Sequence, residues 1–560
     1  MSPFSRTMID AARGIAPADH VYRNAEIFDP FGCTWEAGDL AVKAGIVLGI
    51  GDYAGRTEVD LTGEYIVPGL IDAHVHIESS LLTPGEYARL VAIHGTTTVI
   101  ADPHEIANVA GAEGIAFMLG QRERADIDIL YMLPSCVPAT PLDAGGASLS
   151  SSDLAGFIGM AGVLGVGEMM NVPGVLAGDP EIGRKLALAP IRDGHAPHLS
   201  GMDLNAYILA GLQSDHECTT LAEAQEKLRR GMYLYLREGS TEENITELVP
   251  AVTAETSSRC CFASDDRHAD ALAEDGHIDH CVRRAIGCGL KPELAIRVAT
   301  LSAAERFGLA DRGALAPGRR ADFCIISDPE EFIVKKVFRA ADGAPGIPRE
   351  LRASLPPSFR GRVPSPEEME IRGGGVVRVI GLVPGQILTE SLRCRIDAGG
   401  TPDPGRDLLK VVVCNRYREK MCGVGLVRGF GFRQGAIASS VSHDAHNVIA
   451  AGTSDREIRT AIAEVFRLNG GMAVVAGGKK TVLPLDCAGL MSSLPYPEVV
   501  RRLSLLRRAT EERMGGIDNP FMYLSFLALT VIPSLRVTDR GVFDAETFRD
   551  VPLFVEKGKG

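Results

Sequence analysis

The sequence predicts an α/β protein built around a (β/α)8 barrel, with a small N-terminal β-sandwich completed by a returning segment and a C-terminal α/β domain. Three observations carry this expectation. Between residues 66 and 310, eight short apolar runs alternate with longer segments of helical period. Most of those runs end in polar residues, as barrel strands do where they meet the loops of the mouth. The 560-residue length leaves room for roughly three to four folding units.

The elements follow in order. Val21–Phe28, Asp39–Ile50 and Glu64–Pro68 read as short strands, punctuated by Ala44-Gly45 and Thr62-Gly63, and give residues 1–66 as the first part of the β-sandwich. The barrel is expected over 67–310, its runs being Ile66–His76, Thr97–Glu105, Ile127–Cys136, Val163–Met169, Leu188–His195, Ile208–His216, Tyr233–Glu238 and Cys260–Asp265. Residues 311–342 read as turn then strand, returning to the N-terminal unit. Pro345, Pro348, Pro356, Pro357, Pro364 and Pro366 make 343–372 a linker that no regular helix or central strand can occupy. The remainder, 373–560, contains strand-like Val376–Ile380, Leu409–Val413 and Met472–Val475 and helix-like Asp455–Asn469.

Composition narrows the function. A net charge of −14 repels phosphate backbones, so nucleic acid is not an expected partner. No apolar run approaches the roughly 18 residues of a membrane span. Met1-Ser-Pro-Phe-Ser-Arg6 has no apolar h-region, and the 12 cysteines include no Cys-x-x-Cys, which together predict a cytoplasmic protein with reduced thiols.

The sharpest feature is Gly69-Leu-Ile-Asp-Ala-His-Val-His76. Alternate strand residues share a face, so His74 and His76 can hold one divalent ion, with Asp72 on the same face supporting them from one step deeper. A bare His-x-His also fits two buried, hydrogen-bonded histidines. The other strand ends shift the balance: Glu168, His195, His216 and Asp265 each close a later run. Glu168 can bridge two ions, two histidines can serve each, and Asp265 can bind one ion and take a proton from a water whose pKa the metals lower.

This set, in this order, resembles the amidohydrolase superfamily over roughly residues 20–340. A narrower resemblance is to the bacterial adenine deaminase family. It is carried by Val75-His-Ile-Glu-Ser-Ser80, Asp102-Pro-His-Glu-Ile-Ala-Asn-Val109, Asp193-Gly-His-Ala-Pro197, Ser214-Asp-His-Glu217, Arg237-Glu-Gly-Ser240 and Val441-Ser-His-Asp-Ala-His-Asn-Val448. Many amidohydrolases bridge their metals with a carboxylated lysine; Glu168 at that position disfavours those subgroups.

The resemblance implies hydrolysis of adenine to hypoxanthine and ammonia by a metal-activated hydroxide attacking C6. It implies two divalent ions, Mn2+ or Fe2+, with Zn2+ also compatible with these ligands. Asp265 and Glu105 are the expected catalytic pair, with Glu105 shuttling a proton to N1. His104 is expected to support the ligands from behind, and Ser135 and Arg237 to face the purine. His195 is preferred over His198 as a ligand. Two alternatives remain at this stage: another binuclear amidohydrolase cutting a cyclic amide or N-acyl bond, and a catalytically silent purine-binding relative. A homo-oligomer, dimer or tetramer, is the expectation for such an enzyme. His443 and His446 fit either a metal pair or a loop shaping the pocket, and Gly477-Gly478-Lys479 reads as a turn because the Walker pattern is absent.

Overall fold

The computed structural model describes residues 5–240, 243–340, 355, 358–419 and 421–555. Its centre is a ring of eight parallel strands: β1 (Leu70–Val75), β2 (Thr96–Ala101), β3 (Asp128–Leu133), β4 (Val163–Met169), β5 (Arg192–Gly194), β6 (Ser214–Asp215), β7 (Tyr233–Arg237) and β8 (Cys260–Ala263). β1 to β5 pair successively, as do β6 to β8. The ring closes at both seams. Gln213 N donates to Arg192 O at 3.3 Å, and Asp265 N donates to His74 O at 3.0 Å. Apolar side chains such as Ile71, Ile100, Met132 and Tyr235 fill the barrel interior.

Three expected runs begin well before the strands they contain, each for a local reason. Ile66–His76 divides at Gly69: Tyr65–Pro68 joins the N-terminal sheet and Leu70–Val75 the barrel. A Cβ at Gly69 would meet Thr97 Oγ1 at 2.3 Å, so the chain passes there without a side chain. Ile208 and Leu209 belong to the helix Gly201–Leu209, whose apolar last residues imitate a strand although Leu209 is exposed. The fifth run starts late because Leu188 lies in the turn after the helix Pro180–Leu186.

The N-terminal strands form one branched seven-stranded sheet. The long strand Ala18–Asp29 forks, pairing with Gly55–Asp60 along its first half and with Tyr65–Pro68 near its end. Phe323–Ile326 runs antiparallel to Tyr65–Pro68, so a segment some 260 residues downstream completes the sheet. Tyr22, Phe323 and Phe338 pack edge-on and stacked at 4.7–5.1 Å between ring centres. Nearly half of the expected linker, with Pro345, Pro348, Pro356 and Pro357, lies outside the described residues.

Beyond it stands an eight-stranded sheet whose central strands are Leu409–Cys414, Val448–Gly452 and Ala436–Ser439. The helix Asp455–Arg467, capped by Ser454, buries Ile458, Ala461, Ile462 and Val465 against one face; this i, i+3, i+4, i+7 stripe is what the sequence displays. Gly477 and Gly478, both at positive φ, make the two-residue hairpin turn between Gly471–Ala476 and Lys479–Pro484. The other face joins the barrel in a single apolar core: Tyr87, Leu90 and Leu272 from barrel helices share a cluster with Val411, Ile437, Leu503 and Leu506. That shared core holds the loop 441–447 over the barrel mouth. No helix among the described residues is long and apolar enough to cross a membrane.

Candidate metal centre

The strand ends deliver their polar residues to one buried cage. His74 Nε2 and His76 Nε2 lie 3.1 Å apart at the end of β1. Glu168 Oε1 stands 3.3 Å from His76 Nε2 and 3.8 Å from His74 Nε2, while Glu168 Oε2 stands 2.9 Å from His195 Nδ1 and 3.4 Å from His216 Nε2. One carboxylate therefore spans two histidine pairs. Asp265 Oδ1 is 3.5 Å from His74 Nε2 and 3.2 Å from His76 Nε2. All six side chains are buried.

The local backbone explains these positions. Glu168 N donates to Asp102 Oδ2 at 2.9 Å, and the carbonyl of the same Asp102 takes the His76 Nδ1 proton at 2.9 Å, which turns His76 Nε2 inward. Asp265 sits at φ 52°, the left-handed region, where β8 leaves the ring. Lys227 anchors the β6 end by pairing with Asp215 at 2.9 Å, and Arg306 anchors β5 by pairing with Asp193 at 2.7 Å.

The electrostatics describe a site short of positive charge. Burial disfavours the imidazolium of His216, yet Glu168, Asp265 and Glu217 outweigh it and push the pKa up to about 9. His76 is also pushed well up, against burial, by Asp266, Asp265 and Glu168. His104 Nδ1 and Asp102 Oδ1 are buried without a hydrogen-bond partner, a condition a native site rarely leaves unfilled, and His195 Nδ1 approaches Glu168 Oε2 at 2.9 Å without the angle of a hydrogen bond. The donor set His74, His76, Glu168, His195, His216 and Asp265, with overlapping groups of three mutually close ligand atoms, fits two divalent ions.

The remaining expected residues are placed as follows. Asp72 lies within β1, but its oxygens accept from the backbone of His74 (3.1 Å) and Ser264 (3.2 Å) and face His277 Nε2 (2.9 Å); it ties β1 to the end of β8 and hydrogen-bonds neither ligand ring. His104 packs edge-on against His76 with ring centres 4.4 Å apart, and its Nδ1 is 3.4 Å from Glu168 Oε1. Arg237 lines the cavity, forks onto Glu217 with two 2.8 Å bonds and reaches Asp265. Ser135 is not brought to the cavity wall: its hydroxyl donates back to the Glu168 carbonyl. His198 is exposed, apart from the cage. Glu105 lines the cavity, its two oxygens hydrogen-bonded by His443 Nδ1 and His446 Nε2.

Sequence reasoning missed several cavity residues. Glu217 adjoins His216 and was visible within its motif. Asp444, buried with Oδ2 unpartnered and its pKa pushed by burial up to about 7, also lines the cavity. Ile387, Phe526, Leu529 and Ile532 form an apolar roof opposite the cage. Nothing in their spacing announces this. The roof is organised by Arg536, fully buried, whose guanidinium donates to the carbonyls of Ile387 (2.9 Å), Phe526 (3.0 Å), Ile532 (2.7 Å) and Pro533 (2.6 Å).

Comparison with known proteins agrees with this architecture. Residues 65–344 match the Amidohydrolase family, and residues 386–549 match the Adenine deaminase C-terminal domain. An adenine deaminase of Methanoregula boonei is 63% identical over 556 residues, covering 99% of each chain. One of Methanoculleus marisnigri is 61% identical, over 92% of this chain and 100% of the relative. One of Desulfatibacillum aliphaticivorans is 44% identical over 98% and 99%. With both parts of the architecture matched and such identity from end to end, this chain belongs to the adenine deaminases of the amidohydrolase family.

Proposed function

We infer that this chain hydrolyses adenine to hypoxanthine and ammonia. The observation that carries the reading is the end-to-end identity to relatives named adenine deaminase, C-terminal region included. Barrel ligands alone would serve a cyclic-amide or N-acyl hydrolase equally well, and no feature of the cavity favours those substrates.

His74, His76, Glu168, His195, His216 and Asp265 would hold the two divalent ions, Mn2+ or Fe2+ being our assignment. When bound, such ions lower the pKa of the attacking water. The protein's own part is to bind a flat base and move two protons. The apolar roof covers the ring opposite the cage, and Met170 adds to the apolar wall. Glu105, held ionised despite burial by His443, His446 and His104, takes one proton of the water and returns it to adenine N1. Asp265, held ionised against burial by Arg237 and its histidine neighbours, takes the second and passes it to the N6 amine. The C6–O bond forms, the C6–N6 bond breaks with its electron pair leaving on ammonia, and hypoxanthine keeps the N1 proton. Arg237 acts here by holding Asp265 and Glu217 in place.

We further assign 1–66 with 311–342, 67–310 and 373–560 as three structural units, and a homo-oligomer in the cytoplasm as the working form. Ammonia release from adenine, measured with metal quantified per chain, tests the central reading. Metal-loaded protein that leaves adenine intact while cleaving a hydantoin or an N-acyl amine would overturn it.

A further inference from the structure

We propose that His443 and His446 are positioning residues: a two-armed clamp that the C-terminal unit closes on Glu105, fixing the carboxylate that carries the proton to N1. The proposal rests on the shuttle role given to Glu105 above. The three side chains are buried, at 1–3% exposure for Glu105 and His443 and 0% for His446, and the arms stand 338 and 341 residues from Glu105 in the chain.

The two arms are built differently. Ser442 N donates to His446 Nδ1 at 3.2 Å, so a neutral His446 must carry its proton on Nε2, the atom that faces Glu105 Oε2. Burial holds His446 down to about 4, which keeps it neutral. His443 is set by the roof: its ring stacks on Phe526 with centres 4.5 Å apart and planes 11° from parallel, and its backbone N donates to Ser525 O at 2.9 Å. Against burial, Glu105 and Asp266 push its pKa up to about 9, so it is a cationic arm.

An ionised carboxylate offers about four lone-pair positions. The clamp occupies one on each oxygen, fixing the plane of the group, and leaves the others to exchange a proton with water and purine. Among the other charged or titratable groups, His104 Nε2 lies 3.4 Å from Glu105 Oε1, and Glu78, Asp444 and Tyr417 also feel its charge. Asp266 and His268 face His443, and Arg416 faces His446.

The test compares arms that keep the donor with arms that lose it. Gln carries an amide near the Nε2 position and Asn near Nδ1, so His446→Gln and His443→Asn should retain most turnover. His446→Leu and His443→Phe should each lower kcat about 10- to 100-fold, as expected for a lost bond to a charged group. They should also move the acid limb of the kcat/KM profile to higher pH, with bound metal unchanged. In a Glu105→Gln background, His446→Leu should cost nothing further. Full turnover with an unmoved limb in His446→Leu, or a loss that persists in Glu105→Gln, would overturn the clamp. If the apolar variants do not fold, His446→Gln against His446→Asn decides: activity in Gln alone supports the clamp, and equal activities overturn it. Normal turnover in Glu105→Gln would instead overturn the shuttle reading itself.

Discussion

A single methyl group placed on Gly167 should dismantle the metal cage. A Cβ at this position would lie 2.0 Å from Asp102 Oδ2 and 2.7 Å from Asp102 Cγ. Favourable contact between such atoms needs about 3.5 Å, so in Gly167→Ala the Asp102 carboxylate must retreat by more than about 1 Å. That carboxylate accepts the Glu168 backbone proton at 2.9 Å, and the Asp102 carbonyl orients His76 at 2.9 Å. Retreat therefore shifts the bridging carboxylate and one of the β1 ligands together. A misplacement of about 1 Å costs on the order of 10²-fold in rate. Overpacking a strand this tightly packed adds about 1–3 kcal/mol of destabilisation. The assay is metal per chain by inductively coupled plasma mass spectrometry, with ammonia release from adenine on the same preparation. Expected are fewer than two ions per chain and a kcat lowered about 100-fold or more. Gly183→Ala is the control: it lies in the helix Pro180–Leu186 with nothing within 4 Å of the new Cβ, and should gain up to about 1 kcal/mol. A Gly167→Ala protein that loads both ions and turns over like the parent would refute the argument that Asp102 couples the two halves of the cage.

Three further perturbations separate the roles. Glu105→Gln should keep its metals and lose about 10²–10⁴-fold in kcat, checked by steady-state kinetics with metal analysis. Glu168→Gln should lose metal and activity together, because it removes the charge shared by two histidine pairs; a fully loaded Glu168→Gln would refute the bridging role. Arg237→Met should cost about 3–5 kcal/mol of stability at neutral pH by stranding Glu217 and Asp265. Burial raises the Glu217 pKa, but Arg237, His195 and His216 outweigh it and leave it lowered. A depressed folded pKa contributes stability that is present above the unfolded value and is lost as pH falls. The gap in denaturation midpoint between Arg237→Met and the parent should therefore be widest near pH 7 and narrow below about pH 4.5, and a gap that widens in acid would refute the pairing.

The parts of the site legible in the sequence are those where backbone periodicity dictates position. His74 and His76 share a strand face by parity, and Glu168, His195, His216 and Asp265 each end a run, so closing the ring brings them together whatever the details of packing. Ser135 shows the limit of that logic. It follows β3 by two residues, as a mouth residue should, but its rotamer sends the hydroxyl back to the Glu168 carbonyl. Parity says which side a residue faces and not which partner it takes. Asp72 is similar: on the correct strand, it spends its oxygens on Ser264 and His277, which pin β1 to β8. The run Ile208–His216 is overlong because an apolar helix end and a buried strand carry the same short apolar signature, even where, as at Leu209, the helix end is exposed.

The roof and the clamp were illegible for a stronger reason: their positions depend on a packing event between units. Ile387 and the group Phe526, Leu529 and Ile532 come from segments more than 130 residues apart, and one guanidinium that finds only backbone carbonyls ties Ile387 to Phe526 and Ile532. Burial pushes the Arg536 pKa down to about 9, so placing this group here is costly and is offset only if all four carbonyls converge. The same roof carries Phe526, on which His443 stacks, so the roof proposed to cover the purine also sets the arm on Glu105 that His443 provides. A barrel with its ligands alone is a general hydrolytic cage. What would fit this one to a flat base with a proton to receive at N1, on the function proposed above, is the second unit, docked through a shared apolar core that no local pattern encodes.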